Sequence, residues 1–194
     1  VEAYGIIEVG LPFINVGERR RKRGCVGRVQ PGYEVRIESP DADGTGSIRI
    51  RGPGMFDAYV SPWQSRVEVL TGDWFDTGDV GRIDEDGDLF ILGREKNVIN
   101  FVGMKIFPYE VEEVMASHPA VKECCVYGSP HPLFGHLPCV QIVLKEGAAR
   151  PDRKELRRFC FERMADYKVP KKYVFVDEIE RTRSGKIKRA QEAL

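Results

Sequence analysis

Asp79 closes the stretch Trp74-Phe75-Asp76-Thr77-Gly78, where an apolar run gives way to a turn. A carboxylate at a strand end beside a glycine can accept hydrogen bonds from two adjacent hydroxyls of a ligand, or it can cap the turn itself. Arg94 follows in Gly93-Arg94-Glu95-Lys96, and its guanidinium can fork onto hydroxyls or phosphates. Lys186 sits in Ser184-Gly185-Lys186, inside a basic tail with Arg181, Arg183, Lys188 and Arg189. The glycine frees the backbone and the lysine is a mobile point charge, able to meet an anionic transition state; the competing reading is a solvated basic end. Gly103 interrupts the apolar runs Val98 to Val102 and Met104 to Phe107. It can take a positive φ, or let a ligand or another chain pass close to the backbone.

Other clusters carry weaker signals. His131 and His136 share one loop, but no further ligand stands at a zinc spacing. Asp84-Glu85-Asp86-Gly87-Asp88 has the acids of a calcium loop without its spacing or its distal glutamate, and is expected to be a hairpin turn. Arg19 to Arg23 is a run of five basic residues, expected to be a solvated loop. The five cysteines, Cys25, Cys124, Cys125, Cys139 and Cys160, show no Cys-x-x-Cys spacing and sit largely in apolar runs. Buried free thiols in a reducing, cytoplasmic setting are expected.

The elements that must hold these residues change character near position 93. Before it, glycine-punctuated short runs such as Val35 to Glu38 and Ser47 to Arg51 alternate apolar and polar residues, as half-buried strands do. After it, Pro108 opens a helix to about His118, with Val111, Val114 and Met115 on one face and Glu110, Glu112 and Glu113 facing out. Strands are expected at Val121 to Tyr127, Val140 to Leu144 and Tyr173 to Val176, with a loop over Gly128 to His136. A helix capped by Asp152 should run to about Ala165. The fold class is therefore α+β: a β-rich, distorted barrel-like part over 1–93, then a small α/β domain over 94–194 with a three-stranded sheet and flanking helices. The 194 residues carry zero formal net charge, so no bulk attraction to nucleic acid is implied, and no apolar run could span a bilayer. The chain starts at Val1 without a methionine and is expected to be part of something longer.

Several motifs together resemble the adenylate-forming enzymes, the superfamily of acyl-CoA synthetases, luciferases and peptide-synthetase adenylation domains. Tyr4-Gly5-Ile6-Ile7-Glu8 resembles the family's Tyr-Gly-x-Thr-Glu motif, and Trp74 to Asp79 its ribose-binding stretch. Gly93-Arg94-Glu95-Lys96 with Val98 to Ile106 resembles its linker, and Ser184 to Arg189 its C-terminal lysine motif. The resemblance implies that Tyr4 stacks on adenine with Gly5 beside it, that Asp79 and Arg94 hold the nucleotide, and that Glu8 holds Mg²⁺. It makes Lys96 the hinge of a mobile lid, Lys186 the catalytic lysine, and Gly103, Met104 and Lys105 the face presented for thioester formation. Position 7 is Ile where the family usually has Thr, so one polar contact to the α-phosphate is missing. Position 136 is His where Glu is common.

The resemblance thus implies an ATP- and Mg²⁺-dependent ligase. It joins a small carboxylic acid to AMP, releases pyrophosphate, and passes the acyl group to coenzyme A. Transfer to an acyl carrier protein is the nearest alternative. The family's phosphate-binding loop is not found in these residues, so they are expected to need the N-terminal part of the same polypeptide and to be inactive alone. A non-catalytic module binding nucleotide or an acyl carrier is a second reading, favoured by Ile7 and opposed by Asp79 and Lys186.

Overall fold

The computed structural model describes residues 2–15, 22, 24–183 and 185–189. The chain divides into two compact units, Val1–Glu95 and Lys96–Leu194. Among the described residues, no helix is long and apolar enough to cross a membrane.

The first unit is built on strands β1 (Glu2–Ile6), β2 (Gly10–Asn15), β3 (Cys25–Val29), β4 (Glu34–Glu38) and β5 (Gly46–Arg51). A small hairpin, β6 (Ala58–Val60) and β7 (Trp63–Ser65), leads into the one-turn helix α1 (Arg66–Val69), and β8 (Phe75–Ile83) and β9 (Leu89–Arg94) follow. Seven of these strands form one sheet in the order β1-β2-β3-β9-β8-β5-β4. The sheet is open, with β1 and β4 at its edges, so the barrel-like form expected from the sequence is corrected to a curled open sheet.

Gly27 marks the bend. Its φ is +97°, the β3–β9 ladder shifts register beside it, and a Cβ there would lie 2.5 Å from the Ile14 carbonyl oxygen. A glycine bulge turns a strand where a side chain would block the neighbour's approach. The alternation of β5 is as expected, with Ile48 and Ile50 wholly buried and Ser47, Arg49 and Arg51 partly exposed. The two isoleucines pack with Val9, Phe13, Phe75 and Leu89 into the core of this unit.

Asp84 to Asp88 forms the expected turn between β8 and β9, held by Asp84 Oδ1 accepting from the amides of Asp86 and Asp88. The carboxylates of Asp84, Asp86 and Asp88 lie within 4.8 Å of one another. The Lys22 ammonium sits among them at 2.7, 2.6 and 2.8 Å, and so supplies the positive charge that a metal would otherwise bring. Lys22 is thus engaged rather than freely solvated; the other residues of the basic run, Arg19, Arg20, Arg21 and Arg23, lie outside the described residues.

A short 3₁₀ turn, Glu95–Asn97, straddles the boundary in sequence between the first unit and the second. The second unit contains β10 (Ile99–Phe101), β11 (Met104–Ile106), α2 (Pro108–Ala116), β12 (Val121–His131), β13 (Gly135–Leu144), α3 (Arg153–Phe161) and β14 (Lys172–Phe175). Its sheet has five strands rather than three, in the order β11-β10-β13-β12 with β14 parallel to β13. The expected loop over Gly128 to His136 is instead the outer part of the β12–β13 hairpin, in which Gly128 faces Pro138 and Pro130 faces His136. Pro130 is accommodated because β12 is an edge strand, where a missing N–H costs no ladder bond.

Both helices end earlier than expected. α2 carries Pro at its first position and α3 is capped by Asp152, whose carboxylate accepts from the Glu155 amide at 2.8 Å. Val111 and Met115 of α2 and Leu156 and Cys160 of α3 pack with Val126, Val140 and Ile142 on one face of the sheet. Cys125 and Val143 face the other side, where Ile179 joins them and Ile187 packs against the cluster. All five cysteines are free and buried. Burial pushes the thiols of Cys125 and Cys160 up to about 11, so they stay protonated near neutral pH and act as core residues.

Candidate functional site

In the first unit the sequence-predicted residues Tyr4, Asp79 and Arg94 converge. Asp79 and Arg94 are cross-strand partners on β8 and β9, and Arg94 Nε lies 2.7 Å from Asp79 Oδ1. The Arg94 guanidinium also donates to the Thr77 carbonyl at 3.0 Å. The Tyr4 hydroxyl donates to the other carboxylate oxygen, Asp79 Oδ2, at 2.6 Å. Four strand spacings separate β1 from β8 along the sheet order, about 19 Å if it were flat. The sheet must therefore curl to bring the phenol to the carboxylate, and its ladders shift register beside Tyr4, Gly27, Ser47 and Val80.

Thr77, which sequence reasoning passed over, fixes this corner. Its hydroxyl donates to the Ile48 carbonyl and accepts from the Asp79 amide, so the backbone of the Trp74–Asp79 stretch is tied to β5. Trp74 itself lies under the guanidinium groups of Arg36 and Arg51, at 4.5 and 4.8 Å.

Asp79 is 4% exposed, and this burial raises its carboxyl pKa above the usual aspartate range against the pull of Tyr4 and Arg94. Burial also raises the Tyr4 phenol, with Asp79 adding to it. Each carboxylate oxygen of Asp79 has one partner here and can accept one more hydrogen bond, which fits a pair of vicinal hydroxyls.

Glu8 stands apart from this trio. Its carboxylate accepts from the Tyr59 hydroxyl at 2.8 Å, and Tyr59 is braced by Phe56, which packs in turn on Phe75. One oriented carboxylate with an oxygen to spare suits a magnesium ion that keeps water and phosphate as its other ligands. Ile7 is 92% exposed. Gly5 is required by the chain itself, since a Cβ there would lie 2.4 Å from the Gly10 carbonyl oxygen.

In the second unit Gly103 forms the tip of the β10–β11 hairpin. Val102 and Gly103 are the central residues of its turn, both left-handed at φ +51° and +78°. Nothing would meet a Cβ at Gly103 within 4 Å, so the turn conformation, not crowding in this unit, calls for glycine. Val102, Met104 and Lys105 are exposed around it, and Phe134 beside it is 41% exposed, its carbonyl accepting from the Val102 amide. Lys171 lies 5.3 Å from the Phe101 ring centroid, its pKa lowered by burial and then by Arg157.

Val102 is the wrong residue for such a turn, because a left-handed conformation costs an L-residue roughly 1–2 kcal/mol and Asn-Gly is the preferred pair. Val102→Asn is therefore expected to raise stability by about 1 kcal/mol, read as a higher urea midpoint at unchanged m-value. An unchanged or lower midpoint would refute the strain.

Lys186 is exposed on a second small turn. The Thr182 amide donates to the Lys186 carbonyl, the Gly185 amide to the Thr182 carbonyl, and the Lys186 amide to the Thr182 hydroxyl. Ser184 lies outside the described residues. Among those described, Arg181 pairs with Glu123, Lys188 with Glu180 and Arg189 with Glu112, while no acid pairs with Lys186. Glu112 was expected to face solvent; it is corrected to a partly buried partner, drawn in by Arg189. Lys96 lies in the turn at the boundary of the units and is exposed. A cavity of about 640 Å³ in the second unit, lined by residues including His118, Phe159 and Arg158, contains none of the residues predicted to act.

Residues 110–186 match the AMP-binding enzyme C-terminal domain. The chain belongs to the adenylate-forming enzymes and carries their C-terminal domain. It is 40% identical over 146 residues to a 2-succinylbenzoate–CoA ligase of Geobacillus kaustophilus, covering 75% of this chain and 30% of that one. Over 98% of its length it is 35% identical to a mitochondrial acyl-coenzyme A synthetase of Homo sapiens, covering 35% of that protein. The Bacillus subtilis o-succinylbenzoate CoA synthetase, solved with its acyl-adenylate intermediate, superimposes with a TM-score of 0.84 at 31% identity, covering 97% of this chain and 40% of that one. The chain thus spans roughly a third of the length of the curated relatives it matches. The sequence-predicted residues each stand in a short motif; the contacts made by Thr77, Tyr59, Lys171 and the Glu112–Arg189 pair are tertiary, and no local signal announces them.

Proposed function

We propose that this chain is the C-terminal part of an ATP-dependent acid–thiol ligase that forms an acyl-adenylate and then an acyl-CoA thioester. The observation that carries the reading is the buried Asp79 carboxylate, clamped between Tyr4 and Arg94 with hydrogen-bonding capacity left for a ribose. Tyr4 offers a ring for adenine, Arg94 steadies Asp79, and Glu8 is the residue that would hold Mg²⁺.

In the first half-reaction the substrate carboxylate oxygen attacks the α-phosphorus of ATP and pyrophosphate leaves. The Lys186 ammonium, which no acid pairs among the described residues, meets the charge that builds on the phosphate. In the second, the sulfur of coenzyme A attacks the acyl carbonyl, the carbonyl–oxygen bond to AMP breaks, and the thiol proton is released. The Gly103 hairpin faces that step, rotation about Lys96 exchanging it with Lys186. Coenzyme A rather than a carrier protein is supported by the CoA ligases among the relatives.

The test is a pyrophosphate-release screen of the full-length protein across aliphatic and aryl acids, with and without coenzyme A. Release with at least one acid, and thioester only when coenzyme A is present, is the expected result. Nucleotide binding with no release across the panel would favour the non-catalytic module that Ile7 suggests.

A further inference from the structure

The lysine turn is held at both ends by ion pairs of unequal depth. At its start Arg181 pairs with Glu123 of β12 and donates to the Gly185 carbonyl, an exposed contact. At its end Arg189 reaches into the edge of the sheet. One guanidinium nitrogen donates to Glu112 Oε1 and, at 2.7 Å, to the Val126 carbonyl; the other donates to Glu112 Oε2 at 3.0 Å. Glu112 in turn accepts from the Val126 amide at 2.8 Å.

Val126 lies on edge strand β12, which among the described residues has no strand on its outer side. Its outward N–H and C=O would be left unpaired, and the Glu112–Arg189 pair caps both. One side chain therefore joins the tail, helix α2 and the sheet edge, three residues beyond Lys186. Between them Ile187 packs against Cys125, Val143 and Ile179, on the face of the sheet away from the helices.

We infer that Arg189, fixed by Glu112, is a positioning residue for Lys186. It does not touch substrate; it sets where the Lys186 ammonium can stand. A planar fork on a carboxylate and a carbonyl fixes direction in a way that a single lysine contact does not. The inference rests on the catalytic reading of Lys186 proposed above, and the test separates the two.

In the full-length protein, Arg189→Gln, Arg189→Lys and Lys186→Ala are compared by hydrogen exchange over residues 177–189 and by single-turnover rates of each half-reaction. Arg189→Gln is expected to speed exchange in this segment by about tenfold or more, since the amides of Thr182, Gly185, Lys186 and Lys188 lose their fixed partners. Its adenylation rate should fall by up to about 10²-fold, the scale of a misplaced catalytic group. The KM for ATP and the rate of thioester formation from supplied acyl-adenylate should stay near wild type. Arg189→Lys keeps a charge beside Glu112, guards against a variant that fails to fold, and should show a smaller loss of the same kind. Lys186→Ala should lose adenylation with wild-type exchange.

Unchanged exchange in both Arg189 variants would overturn the inference, as would equal loss in both half-reactions. Faster exchange with wild-type adenylation, while Lys186→Ala is slow, would overturn the positioning role alone. Wild-type adenylation in Lys186→Ala would overturn the catalytic reading and the positioning role with it.

Discussion

Lys186→Ala in the full-length protein is expected to lower the adenylation rate by about 10²-fold or more, as the loss of one transition-state donor does. The physical reason is timing of charge. Negative charge accumulates on the α-phosphate and its bridging oxygen as the carboxylate attacks, so an ammonium there binds the transition state more strongly than the ground state. ATP affinity should change little, because the trio proposed to hold the nucleotide, Tyr4, Asp79 and Arg94, is assembled without this lysine. Stability should hardly move, since the side chain is exposed and no described acid is left without its partner. Thioester formation from supplied acyl-adenylate should keep most of its rate. Single-turnover measurement of each half-reaction decides the matter. An unaltered adenylation rate would reduce the tail to a solvated basic end.

Lys96→Pro is also expected to separate the two half-reactions. Proline fixes φ near about −65° and removes an amide donor, so a backbone that must change dihedrals between two working states is held in one. The short turn Glu95–Asn97 lies where the two compact units meet in sequence. One half-reaction should survive while overall thioester production falls by about 10²-fold. Lys96→Ala is the control. If rotation of the backbone is what matters, it should behave as wild type in both steps. Equal loss in both half-reactions for the proline variant, or no loss in either, would refute the hinge.

Local chemistry made much of this chain legible. The Asp84–Asp88 turn follows from an Asx-rich, glycine-containing sequence between two apolar runs, and the caps of α2 and α3 follow from Pro108 and Asp152. The failures share a cause as well. Pro130 reads as a loop residue, because nothing local reveals that β12 would lie at a sheet edge. The five strands of the second sheet are each marked by apolar runs, yet β10 joins β13 only where Phe101 meets Gly135, and that pairing belongs to tertiary structure. In the site, Asp79 and Arg94 meet through a ladder whose hairpin could be foreseen. Tyr4 meets Asp79 across a sheet in which β2, β3 and β9 lie between their strands, a closure that no local pattern announces. Glu112 looked solvent-facing by helical period, and its partner lies 77 residues away.

The order of strands in the second unit also has a kinetic consequence. β12 and β13 adjoin in sequence, and closing their turn over residues 132–134 costs little chain entropy. β14 runs parallel to β13 and can pair only after the chain has crossed through α3, and the tail to Arg189 comes later still. Segments joined by the longest closures are expected to dock last and to open at the least cost. Native-state hydrogen exchange should then find the β12–β13 hairpin opening only with the whole unit, and residues 177–189 opening well before it. Equal opening free energies would refute this order. The lysine proposed to act on phosphate would thus ride on the segment that can detach without dismantling the core, and Glu112 with Arg189 would set how often it does.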